Sequence, residues 1–249
     1  MEVYGGSFLG KFRRRAARLQ ARRPAPRGPG RPMISFTFDD APLTAARAGA
    51  AILEQRGLKG TWFIASAMLG GDSPSGPILI PADVRALADA GHEIACHTYS
   101  HLDCGAASPR RIIEDVERNL SAFAEAGLPI PETFAYPYGE VSGASKRALG
   151  PRFGLSRSVR RGLVGQGADL NQAPGVGIEG PEGEDLARHW LAAAKQQNAW
   201  VILFTHDVAE QPSQWGCTPG ALERLADEAL AQGFEVVTVA EGCRRIGAL

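Results

Sequence analysis

This sequence predicts an α/β fold, with parallel strands in one sheet and helices outside it. Three observations carry the prediction. Short β-prone runs alternate with longer helix-like runs along most of the chain, as strand–helix–strand units do. The helix-like runs are punctuated as helices are: Ser108-Pro109 supplies an N-cap and a first-position proline, and Gly57, Gly91 and Gly127 stand where three of the runs end. A chain of 249 residues with 44% hydrophobic content suits one sizeable core.

The first strand is "MISFTF", Met33 to Phe38, and it runs into two adjacent carboxylates, Asp39 and Asp40. Like charges side by side at the end of a buried strand raise each other's pKa, so a fold that keeps them there has a use for both. A helix is expected over 43–57, then the strand "GTWFIA" at 60–65. A helix over 81–90 leads to "HEIACH" at 92–97, which ends in His97 with His101 beyond it. The run 108–126 is the longest helix, and "TFAYP" at 133–137 follows, with Tyr138-Gly139 at its end. The helix 143–149 precedes "FGLSRSV" at 153–159. The helix 182–197 precedes "WVILFTH" at 200–206, which closes on His206 and Asp207. The helix 219–232 precedes "FEVVTV" at 234–239. Seven such strands are too few for a closed eight-fold barrel. They fit an incomplete or distorted one, or a doubly wound open sheet. In either architecture functional groups gather at the carboxyl ends of the strands, where Asp39, Asp40, His97, His101 and His206 fall.

Residues 1–32 read as a separate basic arm. They hold nine Lys or Arg against one acid, a net of +8, so the remainder carries −8. "ARRPAPRGPGRP", residues 21–32, has the composition of a flexible linker that does not fold. No apolar run of the kind a secretory signal needs follows the basic residues. No stretch approaches the roughly 18 apolar residues of a spanning helix, so a cytoplasmic location is expected. Were residues 8–20 helical, Phe8, Phe12 and Leu19 would fall near one face among arginines, which predicts peripheral contact with an anionic membrane. The acidic remainder offers no continuation of a nucleic-acid footprint. Removing residues 1–31 is expected to leave turnover of soluble substrates intact. The four cysteines show no C-x-x-C pair and read as reduced thiols; a Cys104–Cys217 disulfide would require an oxidising compartment.

The histidines supply the chemistry. His97 and His101 are four apart, which on a helical turn puts both imidazoles on one side. With Asp40 they make a set of two His and one carboxylate that leaves coordination positions open. A cation on Asp40 neutralises that charge and lets Asp39 stay ionised as a base, while His206 protonates a leaving group. Trp215, in the loop "QPSQWGCTP", is a candidate groove-lining residue, as are Tyr99 and Cys217. Tyr136 and Cys96 read as core, and His92 and His189 as structural or surface residues.

The motifs "TFDD" at 37–40, "HTYSH" at 97–101, "AYPYG" at 135–139 and "FTH" at 204–206 resemble, in that order, those of the polysaccharide deacetylases (the NodB-homology family, carbohydrate esterase family 4). The resemblance runs from Met33 to about residue 240. It implies a distorted (β/α)7 barrel, with 33–249 as the catalytic domain. The implied activity is metal-dependent removal of N-acetyl groups from amino sugars such as N-acetylglucosamine, in a bacterial exopolysaccharide or glycan intermediate. Asp39 is then the base and His206 the general acid. Asp40, His97 and His101 hold one divalent ion, zinc foremost, with cobalt, manganese, iron or nickel as alternatives. The Tyr138 backbone N–H, beside Pro137, stabilises the oxyanion, and Phe204, where the family has Leu, forms an apolar wall for the acetyl methyl.

Two departures stand out. The arginine of the third motif, which in the family pairs with the base, is Ala135 here, and no Asp/Trp motif falls between 150 and 180. Arg157, Arg160 and Arg161 are the candidates for the missing charge. The missing arginine keeps open an amidohydrolase of the same fold acting on a small amide or cyclic ureide. Iron–oxygen chemistry and a non-catalytic sugar-binding role both leave Asp39 and His206 without a task.

Overall fold

The β-prone runs pair as parallel strands. The computed structural model describes residues 15–249. In chain order the strands are β1 (Met33–Asp39), β2 (Thr61–Ile64), β3 (Asp72–Ser73), β4 (Gly76–Pro77), β5 (Glu93–Cys96), β6 (Thr133–Ala135), β7 (Leu155–Arg157), β8 (Val176–Gly177), β9 (Trp200–Thr205) and β10 (Glu235–Val236). The helices are α1 (Ala51–Glu54, approached through a π-helical turn, Ala45–Ala50), α2 (Pro81–Asp89), α3 (Pro109–Glu125), α4 (Gly143–Leu149), α5 (Gly183–Gln197), α6 (Pro219–Ala231) and α7 (Val239–Arg245).

The main sheet runs β7-β6-β5-β2-β1-β9-β8, all parallel, and β10 pairs with the first residues of β1. This is the expected distorted, incomplete barrel with helices outside. Its end strands are β7 and β8, and the gap beside β7 is bridged by Ala173, which pairs with Arg157. The core follows the period of two along each strand. Ile34, Phe36 and Phe38 pack outward with Leu53, Leu191 and Leu222 of the helices. Met33 packs inward with Phe63, Ala95, Leu155, Trp200 and Ile202. The inward row of β1 is therefore Met33, Ser35, Thr37 and Asp39, and the last of these is a carboxylate inside the barrel.

The helix punctuation forms as expected. The Ser108 hydroxyl accepts from the Arg111 N–H at the start of α3, a cap whose loss typically costs about 1 kcal/mol. Gly57, Gly91 and Gly127 take φ of 68°, 88° and 60°, the left-handed values a helix-ending glycine adopts freely. The last strand is shorter than expected. In "FEVVTV" only Glu235 and Val236 pair, because the Thr238 hydroxyl accepts from the Glu241 N–H and opens α7 instead. β8 and the β3–β4 hairpin lie outside the expected strands, as two-residue strands carry no periodicity to read. All four cysteines are buried, free thiols.

The linker expectation for residues 21–32 is overturned. Pro24 pairs with Asp169, and the Ala25 N–H donates to the Ala168 carbonyl at 2.7 Å. Ala17 and Ala25 are buried. Composition misses this because the acceptors that dock the segment belong to distant residues. Several of its cations face the body: Arg22 bonds the Gly167 carbonyl, Arg27 the Arg245 carbonyl, and Arg31 pairs with Glu235. Phe8 and Phe12, on which the membrane expectation partly rests, lie outside the described residues. Membrane contact finds no support in the residues described, and among them no helix is long and apolar enough to cross a membrane.

Candidate active site

Two adjacent carboxylates part company at the end of β1 because the backbone turns left-handed there. Asp40 and Ala41 have φ of 60° and 54°, values that non-glycine residues seldom adopt. Asp39 stays in the barrel interior. Asp40 turns to the histidines, its Oδ1 lying 3.2 Å from His101 Nε2 and 3.5 Å from His97 Nε2.

The histidines meet by a different route from the expected helical turn. Residues 97–101 form a loop in which Thr98 and His101 are left-handed, with φ of 62° and 55°, and the two rings lie 5.0 Å apart. Asp115 of α3 accepts the Tyr99 and Ser100 N–H groups at 2.7 and 2.9 Å, and the Thr98 hydroxyl accepts from the Leu102 N–H. Five of the seven non-glycine residues with positive φ among those described flank this point: Asp40, Ala41, Thr98, His101 and Tyr138. Strain of about 1–3 kcal/mol per residue persists only where surrounding bonds impose it, and here it concentrates at one site.

The donor set fits a divalent ion. His97 Nδ1 faces the Ala135 carbonyl at 2.8 Å. A carbonyl only accepts, so Nδ1 carries the proton and Nε2 presents its lone pair towards Asp40. Burial pushes His97 and His101 down to about 4, so both are neutral near pH 7, as ligands must be. Asp40 Oδ1 is buried with no hydrogen-bond partner, an unfavourable state that a cation relieves. The ligand atoms of the three residues lie within 4.8 Å of one another.

Asp39 is held by the charge missing from the third motif. Arg157 Nη2 donates to both Asp39 oxygens at 2.5 Å. Arg157 is fully buried on β7, its guanidinium 4.7 Å from the Phe204 ring and 5.2 Å from that of Phe63. Burial pushes the Asp39 carboxyl up. Arg157 foremost, with His97 and His206, outweighs this and draws it below the ordinary carboxylate value. Arg157 is the register partner of Ala135 on the neighbouring strand, so the cation on Asp39 stands one strand from Ala135 at the same level. Of the other candidates, Arg161 lines the groove and Arg160 neighbours Arg18, Arg22 and Asp169.

His206 ends β9 with its Nε2 3.8 Å from Asp40 Oδ2 and its Nδ1 3.2 Å from Glu179 Oε1. Burial alone would lower its pKa. The close Glu179 carboxylate foremost, with the Asp39 and Asp40 charges, outweighs burial and raises it to about 9; Nδ1 also lies 3.3 Å from the Trp215 carbonyl. Glu179, just after β8, escaped the sequence reading, since one acid in "VGIEG" behind an unrecognised strand carries no signal.

The remaining residues divide. Tyr138 is half-exposed, with φ of 58° and its ring against His101 at 4.4 Å. Pro137 is buried beside it, and Phe204 is buried on β9. The half-buried Trp215 lies 6.4 Å from the His206 ring, and its carbonyl accepts the His206 backbone N–H at 3.0 Å. A groove of about 760 Å³ opens here, lined by Tyr138, Glu140, Arg161, Glu179, Leu186 and Phe204; Trp215 is not among its lining residues. Tyr99 is covered by Arg118 instead. Tyr136 and Cys217 are core. His92 is structural, accepting the Gly60 N–H and meeting Glu54.

Residues 27–153 match the family model for polysaccharide deacetylase. The chain is 25% identical over 225 residues to a chitin deacetylase of Colletotrichum lindemuthianum, covering 84% of this chain and 78% of that protein. It is 26% identical over 210 residues to a peptidoglycan-N-acetylglucosamine deacetylase of Bacillus cereus, covering 84% and 87%. Among solved structures, the chitin deacetylase of Colletotrichum lindemuthianum superposes with a TM-score of 0.65 at 20% identity, over 87% of this chain and 89% of that one. The Xyl-CE4 domain of a multidomain xylanase from the hindgut metagenome of Trinervitermes trinervoides gives 0.63 at 23%, over 87% and 92%. At these identities the structural likeness speaks to fold alone.

Proposed function

This chain belongs to the polysaccharide deacetylase family, and on that premise we propose that it is a metal-dependent hydrolase of the N-acetyl groups of amino sugars in a polysaccharide or glycan intermediate. One arrangement carries the reading: the Asp39 carboxylate held by Arg157 and the His206 imidazole against Glu179, both beside the Asp40–His97–His101 cluster. Those three residues would hold a divalent ion, zinc foremost for two imidazoles and a carboxylate, with cobalt, manganese, iron or nickel as alternatives. When bound, the ion supplies Lewis acidity at the acetyl carbonyl.

The rest is the work of this chain. Asp39, kept ionised by Arg157, takes the proton of the attacking water. The Tyr138 backbone N–H donates to the oxyanion as charge develops. Phe204 offers the acetyl methyl an apolar wall, and Trp215 a face for the sugar. His206 donates a proton to the departing nitrogen. That last role favours an amide over an ester, since an amine leaves only when protonated, and the Glu179 carboxylate, 3.2 Å from Nδ1, favours the imidazolium. The small-amide alternative was raised by the missing arginine. With Arg157 on Asp39 that reason lapses, and the open groove accommodates a chain of sugars. Relatives that act on chitin and on peptidoglycan N-acetylglucosamine support the same class.

The test is acetate release from N-acetylglucosamine oligomers by the zinc-loaded protein, read by mass spectrometry beside acetylated xylan. Loss of acetyl groups from the amino sugar is expected. Release from xylan alone, or from neither, would overturn the reading.

A further inference from the structure

We propose that the N-terminal segment, residues 17–25, and Arg23 above all, positions Arg157 for the reaction, so that the basic arm is part of the catalytic apparatus and not an appendage. The proposal rests on the reading of Asp39 as the base.

It begins with how weakly Arg157 is held by its own side chain. Nη2 alone is hydrogen-bonded, to Asp39; Nε and Nη1 are buried with no partner among the described residues. The flanking rings of Phe63 and Phe204 confine the guanidinium without directing it. Its aim is therefore set by the backbone of β7. That strand lies at the end of the sheet, with β6 on one side and, on the other, only the segment through Ala173. The Ala173 N–H donates to the Ser156 carbonyl at 2.9 Å, and its carbonyl accepts the Ser158 N–H at 2.8 Å. These two bonds bracket Arg157. Segment 169–175 also fits closely: a Cβ on Gly175 would stand 2.7 Å from the Ser158 carbonyl and 3.1 Å from Arg157 Cδ.

The N-terminal segment ties these two lines of chain together. The Arg23 guanidinium donates from Nη2 to the Phe153 and Gly154 carbonyls at 2.6 Å, just before β7 begins, and from Nε to Asn171 Oδ1 at 3.1 Å. Its backbone N–H donates to Asp169 Oδ1 and its carbonyl accepts the Leu170 N–H. Asn171 Nδ2 returns a bond to the Ala21 carbonyl. The buried Lys146 ammonium joins the Ala17 carbonyl to Asp169 Oδ2, at 2.6 Å each. One guanidinium thus spans the foot of β7 and the strip that pairs with it, three to four residues before the cation that holds the base. A planar fork does this where an ammonium cannot. Small misplacements of catalytic groups are costly even when their cause is remote.

The experiment uses the full chain loaded with zinc. Kinetics on N-acetylglucosamine oligomers are measured for Arg23→Ala, Arg23→Lys, Arg157→Met and the double variant Arg23→Ala/Arg157→Met. Metal content is measured on each, and assays run below each melting point. Arg23→Ala should lower kcat by about tenfold to a hundredfold, with KM and metal content unchanged. Arg23→Lys should recover part of the loss. In the Arg157→Met background, Arg23→Ala should cost almost nothing more. Full turnover by folded Arg23→Ala, or losses that multiply in the double variant, would overturn the proposal.

A second readout does not depend on activity. The Arg157 Nε–H resonance, assigned by its absence in Arg157→Lys, should shift or broaden in Arg23→Ala; an unmoved resonance counts against the proposal even if the oligomers prove not to be substrates. Should Arg23→Ala fail to fold, Asn171→Ala cuts one of the same ties and carries both measurements.

Discussion

At the ends of β1 and β5, Asp40, His97 and His101 come from two short stretches and are brought together by left-handed loop residues. Arg157, at the end of β7, reaches Asp39 across the barrel interior, and Glu179, just past the two-residue β8, meets His206 at the end of the neighbouring strand β9. The first region assembles ligands by local backbone geometry. The second places a charged partner beside each of the proposed acid and base, from an adjacent strand and from across the sheet. Binding and proton transfer are therefore separable by mutation, and the comparison can be broken or sharpened in order of expected effect.

The largest effect belongs to the ligand side. His97→Ala or His101→Ala should remove the bound ion and abolish hydrolysis while the fold melts nearly as before, as read by elemental analysis and calorimetry. Stoichiometric metal in the double variant would end the assignment. Next, Asp39→Asn should keep the metal and lose about 10²–10⁴-fold in turnover. Equal metal loss in Asp39→Asn and Asp40→Asn would collapse the distinction between the two carboxylates.

On the charge-setting side, Arg157→Met strands a buried carboxylate, a change that typically costs about 3–5 kcal/mol. The pH dependence has a definite sign. Asp39 is held below its unfolded value, so it contributes stability above that value, and the contribution is lost as pH falls through the folded pKa. Without Arg157 the buried carboxyl is pushed up instead. The variant should then be weakest near neutral pH and partly recover in mild acid, by denaturant titration across pH. Ala135→Arg/Arg157→Ala, which returns the cation to its register partner, should recover part of the lost turnover; no recovery would mean that the level along the barrel does not suffice.

The smallest effect at neutral pH is expected for Glu179→Gln. His206 must be protonated to act, and its raised value of about 9 keeps it so through neutrality. Losing the Glu179 charge lowers that value, so the basic limb of the pH–rate profile should move to lower pH, with a few-fold loss near neutrality. Amide cleavage should suffer more than cleavage of an activated acetate ester, whose leaving group needs no proton. Equal losses on the two substrates would remove His206 from the acid role.

The same division explains what the sequence made legible. Asp39-Asp40 and His97/His101 are visible because short-range geometry needs those residues close together. The alternation of strands and helices is visible because burial has a period. Arg157 is one of three candidates, since nothing local in "FGLSRSVRR" says which arginine faces inward; only the register of β7 against β6 does. Glu179 was invisible for want of a recognisable strand before it. The docked segment reads as a linker because Pro, Gly and Arg in a row report the absence of a core, while the carbonyls that Arg23 satisfies lie at positions 153 and 154.

The four free cysteines have a practical consequence. Burial pushes Cys96 and Cys217 up to about 12, and Cys104 and Cys243 further still. The thiolate, which is the reactive form, is then scarce at every native position. Maleimide reagents should leave the folded protein unlabelled, so one cysteine added at a solvent-facing site such as Ile130, 81% exposed, would carry a dye or spin label alone. Distances from that label can be followed through sugar binding without first removing any native thiol.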